Sequence, residues 1–176
     1  MITELGHFAL ILALCVALVQ SSVPLLGAAR GHAGWMDVGR SAALVQFGLV
    51  ALAMAALMLA FVTSDFSVIN VAENSHTDKP LLYKFTGVWG NHEGSMLLWI
   101  FMLALCSAAL ALFSGNLPPD LRARVLAVQG MISVGFLVFI LFTSNPFLRT
   151  WPPPPWRCSA TTCRRRCARG SWRCRA

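Results

Sequence analysis

Four long intervals of this 176-residue chain contain no Asp, Glu, Lys or Arg. They cover residues 5–29, 41–64, 94–119 and 125–148, so each has 24 to 26 residues. A helix needs ~20 mostly apolar residues to cross the ~30 Å hydrocarbon core of a bilayer, so each interval can span it. Charged residues make up only 12% of the chain, half the share of a typical soluble domain. The sequence therefore predicts an all-α integral membrane protein and argues against a soluble enzyme, a disordered protein or a secreted disulfide scaffold.

The positive charge of the chain is concentrated near its C-terminus. The formal net charge is +7, but residues 1–148 hold six Lys and Arg against all seven acidic residues. Residues 149–176 hold eight Arg, no acidic residue and four of the six cysteines. We therefore divide the chain into an N-terminal transmembrane region, residues 1–148, and a basic Cys/Arg/Pro tail, residues 149–176, which we expect to be disordered.

The transmembrane region is predicted to contain about four spans. We place them at residues 6–28, 41–63, 94–114 and 125–144. Four Arg side chains lie in the short loops at 30–40 and 115–124, whereas acidic residues outnumber lysines in the longer loop at 64–93. Because cytoplasmic loops carry an excess of Lys and Arg, both short loops are predicted in the cytoplasm and loop 64–93 on the opposite side of the membrane, which the resemblance given below makes the periplasm.

The second half of the long loop has the pattern of a short amphipathic helix. Thr77 and Asp78 can cap a helix whose first turn accepts Pro80. One face of this helix would carry Leu81, Leu82, Phe85, Val88 and Trp89. Such a helix is expected to lie in contact with lipid, in the interface on the outer side of the membrane that the chain spans.

A candidate site follows this helix directly. Trp89 is followed by Gly-Asn and then by His92 and Glu93, which begin the third span, and Trp99 lies further along that span. A histidine beside a carboxylate, flanked by two tryptophans at the membrane surface, could position a planar aromatic cofactor such as haem. The alternative is an aromatic belt with an acidic residue in the first turn of the helix, where the helix dipole favours it. Both interpretations stay open, and no catalytic or metal-binding residue is predicted.

Four runs of the sequence carry a resemblance to one known family. The longest are residues 75–84, SHTDKPLLYK, and residues 89–99, WGNHEGSMLLW. The others are residues 4–10, ELGHFAL, and residues 143–147, TSNPF. Together these runs resemble the CcmF family of bacterial cytochrome c-type biogenesis proteins. The resemblance covers residues 1–148, as the N-terminal part of a much longer protein.

The resemblance implies a location and a function. Proteins of this family are multi-pass proteins of the bacterial cell inner membrane. They act with other maturation subunits as a haem lyase, which takes haem from a haem chaperone and joins its vinyl groups to a Cys-x-x-Cys-His site of apocytochrome c. The family's haem-ligating histidines and its tryptophan-rich WWD segment lie beyond the residues present here. We therefore expect a truncated protein that is inactive alone and does not retain haem.

Other interpretations compete for the tail and for the function. The tail could be a cysteine metal site, a basic arm that binds nucleic acid or lipid, or the product of a shifted reading frame, and we favour the last. A nucleic-acid partner is accordingly not expected. A small transporter or channel would need pore-lining polar or ionisable residues at mid-span, and the sequence supplies only Gln20 and Gln46. A ligand-free membrane scaffold is the other alternative, and only the Trp89–Trp99 motif argues against it.

Overall fold

The computed structural model describes residues 2–63, 68, 70–71 and 86–148. Within these residues lie four long helices: α1 (Ile2–Arg30), α2 (Ala33–Val62), α3 (His92–Phe113) and α4 (Pro119–Phe142), with a 3-10 turn at Ser114–Asn116. All four are long and apolar enough to cross a membrane. The predicted all-α membrane fold is confirmed. The predicted amphipathic helix falls mainly on residues outside the described ranges.

Short connections make neighbouring helices antiparallel. Helices α1 and α2 are joined by only Gly31 and His32, and the His32 amide donates to the Gly27 carbonyl over 3.1 Å. Gly31 has a φ of 69°, in the left-handed region that favours glycine. Helix α1 packs mainly against α2 and α4, and α2 also contacts α3. The four helices therefore form an antiparallel bundle.

The connection between α1 and α2 and the 3-10 turn between α3 and α4 lie at the same end of the bundle, which we call the Arg122 end. There Arg122 Nη2 lies 3.3 Å from Asp37 Oδ1 and links the start of α4 to α2. The loop that the sequence suggests at 30–40 is much shorter in the structure, because α2 begins at Ala33. Asp37 and Arg40 therefore lie on the first turns of a helix. Charge does not end a helix, so α2 extends beyond its apolar interval.

The opposite end of the bundle, which we call the Asn145 end, holds His7, Val62, His92 and Asn145. The outer surface of the bundle is strongly apolar along its length. Phe113, Phe142 and Trp99 are 86%, 84% and 64% exposed. Large exposed apolar surfaces of this kind mark contact with lipid or with another protein. Together with the four long helices, they identify a multi-pass membrane protein.

Candidate functional site

The predicted motif begins with a tight turn that leads into α3. Asn91 caps the helix, and its Oδ1 accepts a hydrogen bond from the Gly94 amide over 2.7 Å. Its Nδ2 donates to Asn70 Oδ1, which links this turn to a residue that lies between α2 and α3 in the sequence. The Val88 carbonyl points at Gly94 so closely that a Cβ there would lie 1.6 Å from the oxygen. Glycine is thus the residue that this turn requires.

The structure separates the four predicted site residues into two pairs. Trp89 is half-buried and packs against the main apolar core, and Glu93 lies in the first turn of α3. Both residues also have a polar or ring contact. The helix dipole stabilises a carboxylate in the first turn, so the position of Glu93 fits the interpretation in which the acidic residue supports the helix start.

His92 and Trp99 form the exposed pair. They are seven residues apart on α3, which places them on one helix face, about 10.5 Å apart along the axis. The His92 ring meets Phe139 of α4 edge-on, with the ring centroids 6.4 Å apart. Trp99 lines an apolar surface cavity of about 350 Å³ together with Leu98, Met102, Leu103 and Cys106. We call the surface from His92 to this cavity the His92–Trp99 face.

A second polar cluster at the Asn145 end was not predicted. Asn145 lies in the turn after α4, and its Oδ1 accepts from the Phe147 amide over 3.0 Å. This bond fixes the orientation of the side-chain amide, so Asn145 Nδ2 faces His7 Nδ1 at 3.2 Å and donates to it. The hydrogen-bond network therefore assigns the proton of neutral His7 to Nε2.

The same turn closes over the first helix. The Phe147 ring packs against Gly6, where a Cβ would lie 2.5 Å from Phe147 Cζ. Beside it is a cavity of about 190 Å³ lined by Thr3, Glu4, His7, Phe8, Ile11 and Phe147. The runs at 4–10 and 143–147 thus meet in space. The only signal in the sequence was that both runs resemble the same family. No local pattern can predict contact between residues so distant in sequence.

These residues allow a limited contact with haem. A histidine ligand needs a free nitrogen lone pair, and Nδ1 of His7 already accepts from Asn145. His92 is exposed on an apolar face, which suits the edge of a planar macrocycle. Over the described ranges no three His, Cys, Asp or Glu side chains are grouped as metal ligands. At the Asn145 end, the described part of the chain therefore offers one imidazole, that of His92, for contact with haem.

Comparisons with known proteins identify relatives of one family. The chain is 70% identical over 154 residues to the cytochrome c-type biogenesis protein ccl1 of Rhodobacter capsulatus, covering 88% of this chain and 24% of that protein. It is 56% identical over 155 residues to CcmF of Pseudomonas aeruginosa and 50% identical over 155 residues to CcmF of Escherichia coli, with the same coverage of both chains. No protein-family model matches the chain.

A solved structure shows the same fold. The chain superposes on cytochrome c heme lyase CcmF with a TM-score of 0.79 and 29% identity, over 84% of this chain and 25% of that one. The chain spans about a quarter of the length of the curated relatives it matches. The matches cover its N-terminal 88%, so most of the tail predicted at 149–176 lies beyond them. The predicted resemblance to the CcmF family is confirmed over the matched residues.

Proposed function

We propose, on the premise of this resemblance, that the chain is a membrane component of cytochrome c-type biogenesis that helps to attach haem to apocytochrome c. The observation that carries the proposal is the 70% identity to the biogenesis protein ccl1, supported by the TM-score of 0.79 to a cytochrome c heme lyase. Both comparisons reach over more than four fifths of the chain. The bacterial inner membrane is the location that this function requires.

The His92–Trp99 face is the part of this chain that we assign to haem. His92 offers an imidazole at the Asn145 end, and Trp99 offers an aromatic surface beside an apolar cavity about two helix turns deeper. Trp89 and Glu93 position this face by holding the start of α3. Haem, when bound, supplies the vinyl groups that form thioether bonds with the two thiols of apocytochrome c. The partners in this proposal are a haem chaperone, apocytochrome c and the other maturation subunits.

The test uses a bacterial strain that lacks its own family member. A full-length relative is expressed in which the matching quarter is replaced by residues 1–148 of this chain, and covalent haem in c-type cytochromes is measured on haem-stained gels. We expect the chimera to restore covalent haem and the 176-residue chain alone to leave the strain deficient. A chimera that inserts normally but yields no covalent haem would contradict the proposed function.

Two variants of the chimera separate the function from the proposed haem contact. His92→Ala removes the imidazole of the His92–Trp99 face, whereas His32→Ala removes a histidine near the Arg122 end, where it contacts Trp35. We expect His92→Ala to lower covalent haem and His32→Ala to leave it unchanged. If both variants behave like the unmodified chimera, the function stands and the assignment of haem to this face is wrong.

A further inference from the structure

Helices α1, α2 and α4 meet at a defined level near the Arg122 end. A Cβ on Gly39 would lie 2.8 Å from Pro24 Cγ of α1 and 3.9 Å from Leu126 Cδ1 of α4. Toward the Asn145 end from this level, Gln20 lies about one turn beyond Pro24 on α1, and Gln46 about two turns beyond Gly39 on α2. Both glutamines are buried, and they lie on the same side of this level, ~6 Å and ~10.5 Å from it along their helix axes.

Two serines reach this region from the remaining helices. Ser133 lies about two turns beyond Leu126 on α4, in the same direction. Ser107 of α3 lies about one turn beyond Ala111, which belongs to a small apolar cluster with Ala43 and Leu126. Each of the four helices thus contributes one polar side chain, and we call Gln20, Gln46, Ser107 and Ser133 the interior polar cluster.

The interior polar cluster is buried and largely without hydrogen-bond partners in the described part of the chain. Its four residues are at most 1% exposed. One bond is formed: Gln20 Nε2 donates to the Leu126 carbonyl over 3.1 Å. Gln20 Oε1, both side-chain polar atoms of Gln46 and both serine hydroxyls have no protein partner within the described ranges. Unsatisfied polar atoms are costly in any protein interior, and inside a bilayer no bulk water can relieve them.

The burial of the cluster restricts what can satisfy these atoms. A protein partner cannot reach side chains that four helices of this chain already enclose. None of the four residues is charged, so an ion would lack a counter-charge. Water is small, both donates and accepts, and occupies buried sites that offer two to four polar partners. We propose that the interior polar cluster binds ordered water molecules inside the bundle.

The position of the site makes this water internal to the membrane region. Gln46 lies 13 residues after the start of α2 and 16 before its end, which is about 20 Å and 24 Å along the axis. The hydrated cluster is thus near the middle of the bundle, where its water molecules link all four helices. This inference rests on the packing alone and is independent of the proposed role in cytochrome c biogenesis.

Radiolytic labelling tests the proposal with the full chain in lipid nanodiscs. An X-ray pulse converts water to hydroxyl radicals, and internally bound water labels the side chains beside it even when they are buried. Leu126 is 1% exposed and its carbonyl accepts the hydrogen bond from Gln20 of the cluster, whereas Leu57 is 0% exposed in the apolar core and has the same intrinsic reactivity. We expect at least ~5-fold faster labelling of Leu126, since bound water needs polar partners and an apolar site stays dry.

A pair of variants identifies the residues that hold the water. Gln46→Met keeps an unbranched side chain but removes both polar atoms, and we expect it to slow the labelling of Leu126 at least twofold. Gln129→Met is the matched control, because Gln129 Nε2 is bonded to the Leu103 carbonyl outside the cluster. Equal labelling of Leu126 and Leu57 in the unmodified chain would overturn the proposal without any variant. Equal labelling of Leu126 in the two variants would show that Gln46 does not hold the water.

Discussion

Replacing Gly94 by alanine should disrupt the turn that presents the candidate site. The new Cβ would lie 1.6 Å from the Val88 carbonyl oxygen and 2.7 Å from Asn91 Oδ1, whereas real Cβ contacts are essentially never under 3.0 Å. The Val88 carbonyl would therefore have to move by more than 1 Å. Backbone cannot give way as a flexible side chain can, so the segment before α3 must leave its position.

The cost follows from what that segment contributes. Losing the Asn91 cap removes about 1 kcal/mol of helix stability. Val88 is 0% exposed, and burial of a valine side chain is worth about 1.5–3 kcal/mol. We expect Gly94→Ala to lower the free energy of unfolding by about 2.5–4 kcal/mol, which is a large part of the ~5–15 kcal/mol that stabilises a typical protein.

The assay compares two glycines of the same motif. Gly90→Ala is the control, because a Cβ at Gly90 meets nothing closer than the Thr86 carbonyl oxygen at 3.6 Å, an ordinary contact. Thermal unfolding is measured in detergent, and a cysteine at Val88 in a cysteine-free background is titrated with a membrane-impermeant maleimide. We expect Gly94→Ala to lower Tm and speed the modification, with little change for Gly90→Ala. Equal Tm values and equal thiol accessibility in both variants would refute the reasoning.

Further predictions concern the packing, the orientation and the cofactor. Gly130→Ala should lower Tm through about 1–3 kcal/mol of overpacking, because its Cβ would lie 3.0 Å from the Ser21 amide nitrogen, whereas Gly48→Ala, with nothing within 4 Å, should not. Asn145→Ala should destabilise the chain by about 1–3 kcal/mol in chemical unfolding, because the half-buried His7 ring and the Phe147 amide each lose a hydrogen-bond partner. In intact spheroplasts, an impermeant thiol reagent should label a single cysteine at residue 75 but not one at 115, and the reverse pattern would invert the predicted orientation. The chain purified alone should show no Soret band of stoichiometric haem, and a strong band lost on His92→Ala would contradict this.

The helices were predictable because the bilayer imposes a simple requirement. Runs of ~20 residues without charge have few alternatives to a membrane helix, and most residues of each of the four runs lie in a long helix. The helix ends were less accessible to sequence reasoning. Helix α2 begins at Ala33, eight residues before the predicted span at 41. Its first turns can hold charged residues, because Asp37 pairs with Arg122 and Arg40 is exposed.

The candidate site was predictable only in part. A spacing of seven residues on a helix places His92 and Trp99 on one face, and the structure has that arrangement. The inward packing of Trp89 depends on residues from other helices, so no local pattern could show it. The need for glycine at position 94 depends on the path of the Val88 carbonyl, which is a property of the folded turn.

The contact between His7 and Asn145 shows most clearly what tertiary structure adds. The two residues are 138 positions apart, and their pairing exists only because α1 and α4 are neighbours in the bundle. Since the Phe147 amide orients Asn145, the proton of His7 is placed on Nε2, which makes this histidine a hydrogen-bond donor toward the adjacent cavity. His32 lies near the Arg122 end, and His76 is outside the described residues. Among the described histidines, His92 is therefore the one that can offer an imidazole lone pair at the Asn145 end.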